Sequence, residues 1–312
     1  MNKKILGVDV AKDTLYFSDI NGVIHGEAVN ESKGFRKIIT LFNQHEMELV
    51  VLEATGGYER QVLYHLAEKG IPVALVESTR VRNHARSAGI FAKTDKLDAR
   101  VIAHFAACHP PRLYRLMSPC FRKLRAINQR REQVVEMIRQ EKTRIDKVCD
   151  SYILRSINRI LKVFEKELKS LDAKMEKLWS QEKELQSKVK RLQTCPGIGK
   201  ITATTVVLEF PELGTLSPKE AASLAGLAPM NRDSGKFRGK QSITKGRRRL
   251  RRSLYMASVV SVTHNPVISK FFHRLKAKKP GKVALVACMR KLLIYLNAMI
   301  RDEVDWRDKS VA

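Results

Sequence analysis

The chain has 312 residues, with 59 Lys and Arg against 32 Asp and Glu, giving a net charge of +27. An apolar content of 44% is enough to build real cores, which excludes a disordered polycation, and the length suits about two domains. A charge this large opposes a compact state by self-repulsion unless a polyanion neutralises it. Nucleic acid is therefore the leading partner, with an acidic membrane surface a distant second.

The apolar run after Met1 is cut at Asp9, far short of a signal-peptide core, and no segment is expected to reach the roughly 18 apolar residues of a spanning helix. No membrane partner is expected. The five cysteines, Cys108, Cys120, Cys149, Cys195 and Cys288, are scattered and contain no Cys-x-x-Cys pair. They read as a reduced, intracellular set without a zinc site of the usual spacing.

Residues 4–10, 14–20 and 23–29 predict three short strands joined by tight turns such as Asn21-Gly22, an antiparallel meander. A helix over about 32–44 follows, then an apolar strand from Leu49 ending at Glu53. Thr55-Gly56-Gly57 opens another helix, residues 72–76 form a further strand, and helical material runs to Cys108. This order implies a mixed α/β sheet with helices on its faces, closed as a domain, 1–111, by His109-Pro110-Pro111.

From Leu124 the pattern changes. Apolar residues at alternating spacings of three and four run from Leu124 to Tyr152 and again from Ile157 to Leu192, predicting long coiled-coil helices over 112–193, paired as a hairpin or between subunits. A helical spacer packed on its own domain is the plainer alternative. The third region, 194–312, is mainly helical. Cys195-Pro196-Gly197-Ile198-Gly199-Lys200 precedes a helix to Glu209, Ser217-Pro218-Lys219-Glu220 caps another, and helices are expected over about 247–264 and 280–300.

Four carboxylates stand out by position. Asp9 ends the first strand, Glu53 ends the fourth, and Asp95 and Asp98 share one face of a predicted helix through their i, i+3 spacing. Singly, such residues are usually turn formers or ion-pair partners, and Asp13 and Glu59 nearby are assigned structural roles. Jointly, the four form a hard-oxygen cluster suited to Mg²⁺ or Mn²⁺, and two such ions can clamp both reacting oxygens of a phosphodiester.

Pro-Gly-Ile-Gly before a helix is the turn of a helix-hairpin-helix element, in which Gly197 and Gly199 let backbone N–H groups approach a phosphate beside Lys200. A plain helix–helix turn is the alternative. Residues 231–252 carry a net +9, and Lys236, Arg238, Lys240, Lys245, Arg247, Arg248 and Arg251 are expected phosphate contacts. Ser234, in a Gly-flanked loop amid this charge, is a candidate nucleophile, in competition with Ser242, Ser253 and Tyr255.

Together these segments resemble the insertion-sequence-110-type transposases, the Piv/MooV-like DEDD recombinases. Gly7-Val8-Asp9-Val10-Ala11-Lys12, Leu52-Glu53-Ala54-Thr55-Gly56-Gly57-Tyr58 and Lys93-Thr94-Asp95-Lys96-Leu97-Asp98-Ala99 match the family's N-terminal motifs. Pro196-Gly197-Ile198-Gly199, Leu224-Ala225-Gly226-Leu227-Ala228-Pro229, Asp233-Ser234-Gly235 and Leu254-Tyr255-Met256-Ala257 match its C-terminal domain. The resemblance implies an RNase H-like, RuvC-like N-terminal domain, a coiled-coil insertion and a helical C-terminal domain whose catalytic serine falls on Ser234. It also implies Mg²⁺ at Asp9, Glu53, Asp95 and Asp98, and a structured bridge RNA that pairs with donor and target DNA. A cytoplasmic, nucleoid-associated homo-oligomer, dimer or tetramer, is expected. The alternatives are a RuvC-like endonuclease using water as nucleophile, a non-enzymatic nucleic-acid-binding protein and, more distantly, an actin-like ATPase.

Overall fold

The computed structural model of the chain describes residues 3–90, 95–231, 239, 242–244 and 246–307, with residues 95–97 described by backbone alone. The chain divides into two compact units, 1–117 and 118–312. The first unit is built on β1 (Ile5–Val10), β2 (Thr14–Asp19), β3 (His25–Val29), α1 (Ser32–Gln44), β4 (Leu49–Glu53), α2 (Glu59–Glu68), β5 (Val73–Val76), α3 (Ser78–Ser87) and α4 (Asp95–Cys108). Its five strands lie in the order β3-β2-β1-β4-β5. The meander β1-β2-β3 is antiparallel, and β1, β4 and β5 run parallel, so the mixed sheet expected from the sequence is present.

Side chains alternate across a strand with period two, and β1 and β4 use this to serve two cores. Leu6, Val8 and Val10 join Val50 and Leu52 against Phe35, Ile38, Val62 and Leu66 on the face covered by α1 and α2. Ile5 and Val51 face the other way, toward Val101, Ile102 and Phe105 of α4. Strands buried on both faces read as continuous apolar runs, which is why Leu49-Val50-Val51-Leu52 is so uniform.

The second unit is helical: α5 (Pro119–Ile145), α6 (Ser151–Trp179), α7 (Lys183–Gln193), α8 (Lys200–Glu209), α9 (Pro218–Leu224), α10 (Arg248–His264), α11 (Pro266–Lys276) and α12 (Gly281–Arg301). Helices α5 and α6 form an antiparallel pair. Val134 and Ile138 pack with Ile157 and Leu161, and Arg131 bonds Asp172 at 2.6 Å while Lys142, further along α5, reaches back to Glu165 at 3.9 Å. The first apolar series does not continue to Tyr152 as one helix. It stops at Ile145, and Asp150 starts a new helix by accepting from the backbone N–H groups of Tyr152 and Ile153 at 2.8 and 2.9 Å, an N-cap that satisfies otherwise orphaned donors. The second series is likewise divided, between Trp179 and Lys183.

Helix α8 is central. Residues Ala203–Glu209 are buried, and the carboxylate of Glu209 is held by Arg125 at 3.1 Å and Gln129 at 3.0 Å from α5. Contrary to the expectation from sequence, one helix among the described residues, α12, is long and apolar enough to cross a membrane. It is a core helix instead: it packs against α7, α9, α10 and α11, and 56% of its most apolar stretch is buried. The buried Asn297 on α12 donates to Leu216 O and accepts from Gly214 N–H, both at 2.8 Å. A polar side chain satisfied on both sides in this way fixes the register of a helix within its core.

Candidate functional site

The acidic region is built at the C-terminal ends of the central parallel strands. Val8 of β1 pairs with Leu52 of β4, so the next residues lie side by side: Glu53 ends β4, while Asp9, expected to end β1, sits one residue before its last, Val10. By period two both belong to the face that carries Ile5 and Val51, the face covered by α4.

Three contacts fix the direction of α4 across that face. Lys3 Nζ, before β1, donates to Ala107 O at 3.0 Å near the helix end. Arg100 Nε donates to Ile20 O at 3.1 Å, just beyond the end of β2. A Cβ on Gly7 would lie 2.1 Å from Ala99 O and 2.6 Å from Ala103 N, so the helix backbone rests directly on that glycine. Helix α4 therefore runs antiparallel to β1. Two strand residues from Gly7 to Asp9 advance about 6.6 Å, and four helix residues from Ala99 back to Asp95 advance about 6 Å. The first turn of α4, which carries Asp95 and Asp98, thus arrives level with Asp9. The structure brings Asp9, Glu53 and this turn to one edge of the sheet. The side chain of Asp95 lies outside the described residues.

The loops around the edge are tied down by two residues. Glu59, 6% exposed, accepts from the backbone N–H of Thr55 at 3.1 Å and of Gly57 at 2.8 Å. This holds the turn after Glu53, where Gly56 and Gly57 take φ of 78° and 125°, values that favour glycine. Asn30 Nδ2 donates to Ala11 O at 3.0 Å and to Lys12 O and Tyr58 O, each at 3.3 Å, joining the loop after Asp9 to the loop after Glu53. Sequence reasoning missed Asn30. An Asn just after a strand carries the signal of a turn and nothing more.

In the second unit, the Pro-Gly-Ile-Gly turn joins α7 to α8. Gly197 has φ 93° and a Cβ there would meet Ser261 Oγ at 2.2 Å, while Ser261 Oγ and Asn265 Nδ2 donate to Pro196 O at 3.1 and 3.4 Å. Packing alone thus demands Gly197. Gly199 is exposed and faces open space, and Lys200 is exposed in an ion pair with Glu176 at 2.9 Å.

Much of the arginine run is engaged within the fold. Arg247 forms a bidentate pair with Glu212, both bonds 2.6 Å, and lies over the Phe210 ring. Burial pushes the Glu212 carboxyl up, but the Arg247 hydrogen bonds and charge outweigh it and leave the group below its ordinary range. Arg249 pairs with Glu132 at 2.9 Å, and Arg252 pairs with Glu136 at 2.7 Å. Hydrogen bonds from Arg139 and Arg252 bring the Glu136 carboxyl down to about 2. Arg251 donates to Ala225 O at 3.3 Å, and Arg248 is exposed. Ser234, Lys236, Arg238, Lys240 and Lys245 lie outside the described residues.

Known proteins match both units. Residues 6–154 match the DEDD transposases of the IS110 type, and residues 189–273 match the transposase IS116/IS110/IS902 family. A mixed sheet with paired strand-end carboxylates, followed by a helical transposase domain, defines the protein as a DNA-rearranging enzyme of the transposase class. Pilin gene-inverting proteins of Moraxella lacunata and Moraxella bovis are each 30% identical over 312 residues, covering 96% of this chain and 97% of the relative. An uncharacterized 42 kDa protein of insertion element IS900 from Mycobacterium paratuberculosis is 36% identical over 90 residues, 28% of this chain and 22% of that protein. The chain belongs to the IS110 family of transposases.

Proposed function

We propose that this transposase cuts and rejoins DNA through a divalent-cation-dependent acidic site and a covalent phosphoserine intermediate at Ser234, guided by a structured bridge RNA. The observation that carries the reading is the gathering of Asp9, Glu53 and the first turn of α4 at one sheet edge in a chain of net charge +27. The donor set suits the ion: carboxylate oxygens are the ligands Mg²⁺ or Mn²⁺ prefer. Asp9, Glu53, Asp95 and Asp98 would hold it. Bound there, the cation would polarise a phosphate oxygen and offset charge that develops in the transition state.

The chain's own residues carry the remaining steps. Ser234 Oγ gives up its proton and forms a bond to phosphorus, one P–O bond to deoxyribose breaks, and the departing oxygen takes up a proton. The phosphodiester is thereby exchanged for a phosphoserine ester, so rejoining to a new deoxyribose oxygen needs no external energy source. The likeness to gene-inverting proteins fits this chemistry, because inversion and transposition differ in which ends are joined. Exposed positions such as Gly199, Lys200 and Arg248 would grip phosphates. The three regions, 1–111, 112–193 and 194–312, would act as catalytic domain, coiled coil and serine-bearing domain, with the coiled coil joining protomers.

The test uses purified protein, its co-purifying RNA sequenced, and DNA carrying the element's ends. Asp9→Asn should lose recombination by more than the roughly 10–100-fold typical of residues that merely support metal ligands. Ser234→Ala should lose both recombination and the adduct seen on denaturing gels. Strand cleavage that persists in Ser234→Ala without an adduct would establish water as nucleophile and reject the serine reading. The absence of one discrete RNA would reject guidance.

A further inference from the structure

Among the described residues, one group of metal-ligating side chains lies apart from the sheet-edge carboxylates. His84 on α3 and His104 and Cys108 on α4 present ligand atoms that all lie within 4.8 Å of one another. The spacing of His104 and Cys108 places them one turn apart on the same helix face, and α3 packs alongside so that His84 Nε2 lies 2.8 Å from His104 Nδ1. Cys108 Sγ is 3.9 Å from the same Nδ1.

We infer that this triad is a binding site for a borderline-soft divalent ion, Zn²⁺ in the first instance, chemically distinct from the hard-oxygen site of the carboxylates. Zinc takes nitrogen at about 2.0–2.1 Å and thiolate at about 2.3 Å, which in a tetrahedron puts the ligand atoms about 3.3–3.7 Å apart. The distances of 2.8 and 3.9 Å bracket that spacing, so modest side-chain rotations suffice. In the present hydrogen bond one imidazole must donate and the other accept. For the cation to take the place of that hydrogen bond, the donating imidazole shifts its proton by exchange with solvent to its other ring nitrogen, so that both rings stay neutral and each offers a lone pair. The Cys108 thiol gives its proton to solvent as the Sγ–metal bond forms. Imidazole and thiolate donors select Zn²⁺ over Mg²⁺. His84 lines an open cleft together with Arg80, Asn83, Ser87, Phe105 and His109, and His104 and Cys108 are exposed, which leaves the fourth position to water or to His109, whose ring lies 5.6 Å from that of His84.

The site has a structural consequence. It clamps α3 to the C-terminal half of α4, the helix whose opposite end carries Asp95 and Asp98. An ion here would stiffen the support of the acidic edge without touching DNA. The inference does not depend on Ser234 or on metal binding by the carboxylates.

Metal-free full-length protein, reduced and freed of ions by a chelator, is titrated with Co²⁺ as a spectroscopic substitute for Zn²⁺, with and without excess Mg²⁺. A tetrahedral ligand-field band and a thiolate-to-cobalt charge-transfer band should appear together, survive Mg²⁺ and vanish on addition of Zn²⁺. Cys108→Ser should abolish the charge-transfer band, and His84→Asn and His104→Asn should each weaken binding by at least about tenfold. Asp9→Asn should leave both bands intact, which separates this site from the carboxylates. The absence of a thiolate band, or a band that survives Cys108→Ser, overturns the proposal. Should a variant fail to fold, alkylation of the wild-type protein decides: Zn²⁺ must protect Cys108 from iodoacetamide, and equal labelling with and without Zn²⁺ rejects the site.

Discussion

At the scale of single residues, Gly7 determines how closely a helix can approach a sheet. Its missing side chain is replaced by the backbone of α4 at Ala99 and Ala103, and neither neighbour can yield as the tip of a flexible side chain could. Gly7→Ala should therefore cost about 1–3 kcal/mol, the range for overpacking. It should also reduce recombination beyond what the stability loss explains, because α4 carries two of the four acidic residues. Urea unfolding beside an activity assay at a temperature where the variant stays folded checks both. Arg247 and Glu212 show what composition conceals. Because the folded Glu212 carboxyl lies below its ordinary range, the unfolded chain takes up protons first as pH falls. The pair's contribution is present above the ordinary carboxylate pKa and is lost as pH drops through the folded value. Glu212→Gln should cost about 1–2 kcal/mol at pH 7, between the values for exposed and buried pairs, and much less at the acid end of the titration, as urea midpoints at the two pH values would show. The carboxylates Asp9 and Glu53 were legible in the sequence, since each interrupts or closes an otherwise apolar strand near its C-terminal end. The ion-pair partners of the arginines were not, because Glu132, Glu136 and Glu212 are far from them along the chain.

At the scale of elements, local periodicity identified most helices and strands but not their breaks. The apolar spacing from Leu124 to Tyr152 is unaltered through the turn at Asp146–Asp150, and only the cap at Asp150 ends the pattern as a single helix. Helix α11 was missed for a related reason. Asn265-Pro266 looks like a terminator of the preceding helix, yet Pro is favoured at the first position of a new one, and Asn265 caps it by accepting from Val267 and Ile268 N–H at 3.1 and 3.2 Å. The same fully buried side chain donates to Pro196 O, binding the α7–α8 turn to α11. Asn265→Ala should therefore exceed the roughly 1 kcal/mol of a lost cap by about 1 kcal/mol for the second hydrogen bond, since Pro196 O keeps the Ser261 hydroxyl as a donor. Asn265→Asp, which keeps the acceptor for the cap but sets a buried carboxylate oxygen against Pro196 O, should cost at least as much as Asn265→Ala at neutral pH. Chemical denaturation of the three proteins orders them.

At the scale of the whole molecule, net charge overstates what is offered to a polyanion. Of the five arginines between 247 and 252, Arg247, Arg249 and Arg252 already face carboxylates within the second unit. The +27 therefore identifies the partner class but not the contact surface. The dependence of DNA affinity on salt reports how many phosphates are neutralised. Arg248→Ala should lower the magnitude of that slope by about 1 without changing the unfolding midpoint. Arg249→Ala should shift the midpoint and leave the slope nearly unchanged. Equal slopes in the wild type and Arg248→Ala would remove Arg248 from the interface.

Helix α12 has a temporal consequence. Synthesis is vectorial, and this helix leaves the ribosome after every helix it covers, so α7, α9, α10 and α11 must wait, with their apolar faces uncovered, for the strip that joins them. The sheet of the first unit needs nothing beyond Met117 and can close much earlier. A nascent chain thus passes through an interval in which the acidic edge is formed while the helical unit remains unfinished. The unit that carries the acidic edge is complete before the core of the helical unit can close.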